Sequence, residues 1–175
     1  MSQQRTIQEP VEVSGRALFS STPSHVRFVP AEKNTGIVFL RTDLPKPARI
    51  TATIANLAGQ QDRRTSLRDG TVGIDTVEHI LAAVNGLGID NLVVEIDADE
   101  TPDADGSPRP FAEALARAGT RDLQADRRVY AIETPIAVSQ GDAMLAALPG
   151  DADTLDILYD LDYPEVASIG RQVLG

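Results

Sequence analysis

The chain has 175 residues, a formal net charge of -10 and no cysteine. The acidic balance argues against nucleic acid held on a broad basic surface, and the absence of thiols excludes disulfides and thiolate zinc sites. No run reaches the length of a membrane span, and the opening Met-Ser-Gln-Gln-Arg-Thr lacks the apolar segment of a secretory signal, so no transmembrane segment and a cytoplasmic location are expected. Only two histidines occur, His25 and His79, so a His-rich metal site cannot be completed within these residues.

In chain order, Ile7 to Val13 alternates apolar and polar around Pro10, which predicts an edge strand closed by Ser14-Gly15. Val26 and Phe28 alternate with His25 and Arg27 in a second strand, where His25 reads as a solvent-face residue. Asn34-Thr35-Gly36 signals a turn, and Ile37 to Leu40 a third strand. Ile50 to Ile54 alternates again. A polar loop, Gln60-Gln61-Asp62-Arg63-Arg64, leads to Thr65-Ser66-Leu67, and Asp69-Gly70 marks a tight turn before Val72 and Ile74. Asn91 to Ile96 is the most apolar strand, expected at the centre of its sheet.

Between them lies Gly73 to Asn91, which reads as a short helix. Asp75 or Thr76 can cap its start, and Gly86 can take the left-handed position that ends it. Val77, Ile80, Leu81 and Val84 fall at helical spacing and make one apolar stripe. At about 100° per residue, Glu78 points roughly 110° and His79 roughly 150° from that stripe. Both therefore face away from the core, with Ala82 and Ala83. Two readings stand. Glu78 forms a capping box with Asp75 and His79 is an exposed helical residue, or His79 is a metal ligand and Glu78 the general base beside it.

Asp97 to Asp105 is an acidic loop, expected to be a solvated connection, since its spacing does not fit an EF-hand. Ser107-Pro108 predicts the cap and first position of a second helix whose stripe is Phe111, Ala114, Leu115 and Ala118, closed by Gly119. After Arg128 the pattern restarts. Ile7-Gln8-Glu9-Pro10-Val11-Glu12-Val13-Ser14 is echoed by Ile132-Glu133-Thr134-Pro135-Ile136-Ala137-Val138-Ser139, and Asp43-Leu44-Pro45 by Asp162-Tyr163-Pro164. The expected organisation is α+β. Residues 1–125 form a two-layer domain of sheet and covering helices. Residues 126–175 supply three strands of an incomplete second copy, the third over Leu155 to Leu161, with no helix to hide their apolar face.

Several separated motifs now agree in order. They are Asn34 to Phe39, Arg41-Thr42-Asp43-Leu44, Thr65-Ser66-Leu67, Thr76 to Ala83, Gly86 to Asn91, and Asp105-Gly106-Ser107 with Pro110-Phe111. In these the chain resembles the amino-terminal part of the UDP-3-O-acyl-N-acetylglucosamine deacetylases (LpxC), the zinc amidases of lipid A synthesis. Ile169 to Gln172 resembles a segment of that family's second domain. The resemblance implies two similar βααβ-type domains, of the kind named after the second domain of ribosomal protein S5, with the active site between them. It implies that Glu78 is the general acid/base and His79 the first ligand of Zn2+. The remaining ligands, a His and an Asp, are expected beyond Gly175, in a missing C-terminal half. Thr65, Ser66 and Leu67 are the implied contacts to a UDP-linked acyl-amino-sugar substrate. These residues alone are then expected to be inactive. A non-catalytic binding or scaffold domain derived from the same fold is the alternative. The chain departs from the family at Ser14 to Phe19, where a His is common, and at Glu100 to Asp105, where apolar residues usually precede Asp-Gly-Ser.

Overall fold

A computed structural model describes residues 2–59, 63–151 and 154–175. Of the polar loop named above, Gln60, Gln61 and Asp62 lie outside the described residues. The chain forms two compact units, one up to Arg127 and one from Arg128 to Gly175.

The first unit runs β1 (Gln3–Ile7), β2 (Val11–Arg16), β3 (Pro23–Pro30), β4 (Ile37–Arg41), β5 (Ala48–Thr51), β6 (Leu67–Asp69), β7 (Val72–Ile74), α1 (Glu78–Gly86), β8 (Leu92–Ile96), α2 (Arg109–Ala118) and β9 (Thr120–Asp126). Five strands make a mixed sheet in the order β2-β3-β8-β4-β5. The β4–β8 pair is parallel and the other pairs are antiparallel. β8 is central, as its apolar run predicts. The two-residue period decides which side is covered. Ser24, Val26 and Phe28 of β3 point inward, as do Leu92, Val94 and Ile96 of β8. Outward, Arg27 donates to Glu95 at 2.9 Å and lies 3.5 Å from Glu12, and His25 Nε2 is 3.3 Å from Glu12. His25 is thus the solvent-face residue its alternation predicts.

The inward face meets Val77, Ile80 and Val84 of the α1 segment and Phe111 and Leu115 of α2 in one apolar cluster. Phe28 and Phe111 meet edge to face, with centroids 6.3 Å apart and planes at 83°. The motif residues before β8 serve this frame. Asn91, 1% exposed, accepts from the Gly36 N–H at 3.0 Å and donates to Gln4 at 3.0 Å. Asp90 accepts from the Arg5 N–H at 2.8 Å and from Arg127 at 2.7 Å.

Several expectations need correction. Ile7 to Val13 is not one strand. Gln8, Glu9 and Pro10 break it, because Pro10 has no N–H and the Gln8 and Glu9 amides donate to Gly119 and Ala118 instead. β1 pairs with β9, while β2 is the edge of the five-stranded sheet. Neither Asp75 nor Thr76 caps α1, since Val77 is the N-cap and no side chain caps there. At the other end Gly88, at φ +64°, takes the left-handed turn in place of Gly86. Ala83 is buried at 3% exposure, and Ala82 is exposed as expected. Ser107 sits one position before the cap of α2, where its hydroxyl still accepts from the Arg109 N–H at 3.2 Å.

Among the described residues the second unit holds four strands where three are expected. β10 (Ile136–Gln140) pairs antiparallel with β11 (Ala143–Ala147), and β12 (Tyr159–Tyr163) with β13 (Gly170–Leu174). Gly141, at φ +57°, permits the tight turn that creates β11. The expected strand over Leu155 to Leu161 starts instead at Tyr159, because its register is set by pairing Tyr159 with Leu174. Arg171 clasps Asp160 through two hydrogen bonds of 2.9 and 2.6 Å. β2 and β10 begin at the corresponding positions of the sequence echo, and each opens an antiparallel hairpin.

Candidate functional site

The β6–β7 hairpin delivers the chain to α1. Gly70, at φ +59°, makes its turn possible. Arg41, 7% exposed, fixes the second strand. It forms a two-pronged pair with Asp43 at 2.8 and 2.7 Å and donates to the Gly73 carbonyl at 2.5 Å. The Asp43 bond raises the Arg41 pKa against the opposing effect of burial, and holds the Asp43 carboxyl below its ordinary range. Asp75 is held by Arg68 at 2.5 Å, with Arg64 at 3.8 Å. Arg64 also lies over the Phe19 ring, 4.7 Å from its centroid. With Asp75 so engaged, no capping box with Glu78 forms.

Glu78 opens α1 and meets the run Thr65-Ser66-Leu67. Its Oε2 accepts from the Thr65 N–H at 3.0 Å, and the Thr65 carbonyl accepts from the Val77 N–H at 3.2 Å. This reciprocal clasp holds the carboxylate through one oxygen. The three residues implied as substrate contacts are unequal in access. Thr65 is half-buried, Ser66 is 2% exposed and Leu67, at 3%, belongs to the apolar core. The Ser66 hydroxyl is buried with no hydrogen-bond partner among the described residues. His79 follows Glu78 and is half-buried, outside the apolar cluster. Among the described residues its imidazole makes no hydrogen bond or ion pair. No three of His, Cys, Asp and Glu gather closely enough to hold a metal ion among the described residues. A lone imidazole can supply one metal ligand, and a tetrahedral zinc site needs at least two more from protein, which the described residues do not gather around His79.

The sequence reading missed Glu100. The acidic loop is not simply solvated, because Glu100 is 3% exposed and Thr101 is fully buried. The Glu100 carboxylate accepts from the N–H groups of Phe19 and Ser20, each at 2.9 Å, and from the Thr76 hydroxyl at 3.1 Å. Burial alone would raise its pKa. The two backbone donors, with the hydroxyls of Ser20 and Thr76, overcome that and lower it. One glutamate in a run of aspartates offers no periodicity to reveal this. The linkage gives a testable sign. Because the folded value is lowered, the carboxylate stabilises the fold above its ordinary pKa of 4.5 and loses that contribution as pH falls through the lower folded value. Urea unfolding of wild type and Glu100→Gln is expected to differ by about 2 kcal/mol near neutrality. The gap should narrow progressively below pH 4.5, and a pH-independent gap would contradict the assignment.

The geometry defines an α+β domain that offers a carboxylate and an imidazole side by side at the start of one helix. The chain belongs to the UDP-3-O-acyl N-acetylglycosamine deacetylase (LpxC) family, whose profile matches residues 4–175. It is 40% identical over 169 residues to the UDP-3-O-acyl-N-acetylglucosamine deacetylase of Solibacter usitatus, covering 97% of this chain and 55% of that protein. Against the protein of that name from Idiomarina loihiensis it is 34% identical over 173 residues, or 99% of this chain and 56% of the relative. For Vibrio atlanticus the values are 36% over 174 residues, 99% and 57%. The chain spans about half the length of the curated relatives it matches. No helix among the described residues is long and apolar enough to cross a membrane.

Proposed function

We propose that these residues are part of a zinc-dependent deacetylase that removes the N-acetyl group of UDP-3-O-acyl-N-acetylglucosamine in lipid A synthesis, in the cytoplasm. The observation that carries this reading is the adjacent pair Glu78 and His79, outside the core of a domain that belongs to the family. His79 would be one ligand of the ion. Bound zinc would polarise the acetamide carbonyl and make a water more acidic. Glu78 supplies the proton acceptor. Its Oε2 is occupied by the Thr65 N–H, which leaves Oε1 to take a proton and return it to the leaving amine. Of the implied substrate contacts Thr65, Ser66 and Leu67, Thr65 is the one whose backbone meets Glu78 and that is open enough for a substrate to touch, while Ser66 and Leu67 are buried.

The remaining ligands are expected from the part of the protein that the relatives have and these residues do not include, with residues 128–175 as the opening strands of a second domain. Metal analysis tests the reading. The complete protein is expected to hold one zinc, and His79→Ala to weaken zinc by at least about 100-fold, since one of three protein ligands is lost. A complete protein that deacetylates without metal, or that binds zinc equally well after His79→Ala, would refute it.

A further inference from the structure

Among the described residues, Thr76 is the buried one of five non-glycine residues with positive φ; Ser21, Asn34, Arg63 and Ala104 are exposed. It is 1% exposed and has φ +61°, a conformation that suits glycine and penalises a β-branched side chain. Such a residue costs of order 1–3 kcal/mol and persists only where its surroundings over-determine it. Here they do. The Thr76 hydroxyl donates to Glu100, and the Thr76 carbonyl accepts from the Thr101 hydroxyl at 2.5 Å. On either side the Asp75 N–H donates to the Asp99 carbonyl at 2.9 Å, and the Thr101 N–H to the Asp75 carbonyl at 3.2 Å. Glu100 in turn reaches across to the Phe19 and Ser20 amides, and its own carbonyl accepts from the Ser24 hydroxyl at 2.7 Å.

Thr76 directly precedes the N-cap Val77, and Glu78 and His79 follow at once. The bend at Thr76 therefore sets the direction in which α1 starts, and with it where both side chains point. We propose that Glu100 and Thr76 are positioning residues, a buried carboxylate–hydroxyl clamp that holds a strained bend so that Glu78 meets Thr65 and His79 faces the reacting group. The proposal rests on the deacetylase reading for its kinetic arm only. A misplacement of about 1 Å at a reacting group can cost 100-fold in rate, so the clamp has leverage far beyond its few hydrogen bonds.

The test uses the complete protein and two readouts. Thr76→Val keeps the shape and the branch but loses the hydroxyl, and Thr76→Ser keeps the hydroxyl. Thr76→Val and Glu100→Gln are each expected to lower kcat by at least about tenfold with KM within about twofold, while Thr76→Ser retains at least about half of kcat. Independently of catalysis and metal, amide exchange at Thr65 is expected to accelerate at least about tenfold in Thr76→Val relative to Val94 of the central strand, because the Glu78 acceptor moves away. If Thr76→Val only lowers the melting temperature, with kcat and Thr65 exchange unchanged, the clamp is overturned. If wild type has no deacetylase activity, the functional reading fails and the exchange measurement alone decides the clamp.

Discussion

Glu78→Gln is expected to lower turnover of the complete protein by about 100- to 10,000-fold, the usual contribution of a positioned acid/base group. The substitution isolates proton transfer from placement. A glutamine amide oxygen can still accept from the Thr65 N–H, which binds the native carboxylate at 3.0 Å, so α1 keeps its start. The group also sits outside the apolar cluster, so packing is undisturbed. Stability should therefore change by less than about 0.5 kcal/mol, and KM should stay within a few-fold. Rates of acetate release and a thermal melt on the same preparation check both halves. Turnover within threefold of wild type would remove Glu78 from the chemistry.

The largest stability effect is expected from Phe28→Ala. Phe28 is fully buried on β3, beside the central strand, and its ring meets Phe111 edge to face at 6.3 Å. Truncation removes the joint between the sheet and α2 and leaves a cavity that neither layer can close. The expected cost is about 3–5 kcal/mol, against a total of about 5–15 kcal/mol for a domain. The melting midpoint should drop by roughly 10–20 °C. Ile54→Ala, at a side chain 90% exposed, should change stability by less than about 0.5 kcal/mol and serves as the control.

These two residues also mark what could be read from the chain. Phe28 was legible because alternation along β3 assigns it a face, and the stripes of α1 and α2 were legible because helical spacing gathers Val77, Ile80, Val84, Phe111 and Leu115. Glu78 and His79 could be placed off the stripe by the same periodicity. Thr76 and Glu100 could not. Their roles depend on one positive φ and on contacts between residues 24 positions apart in sequence, which no local pattern encodes. Asp90 and Asn91 lie in one of the motifs that carry the resemblance, and their polar atoms go to Arg5, Arg127, Gly36 and Gln4, a structural use that no local pattern shows. The strand count after Arg128 failed for a related reason. A hairpin is decided by its turn, and Gly141 was a weaker signal than the apolar runs around it.

The ribbon of β1 and β9 places Gln3 opposite Asp126 and Ile7 opposite Thr120. The earliest and latest parts of the first unit are thus stitched to each other. During synthesis this seam can form only after Thr120 and its successors have emerged, so Ile7 lacks its β9 partner until then. A nascent chain halted in α2 would hold nearly every core residue and still lack its fastening.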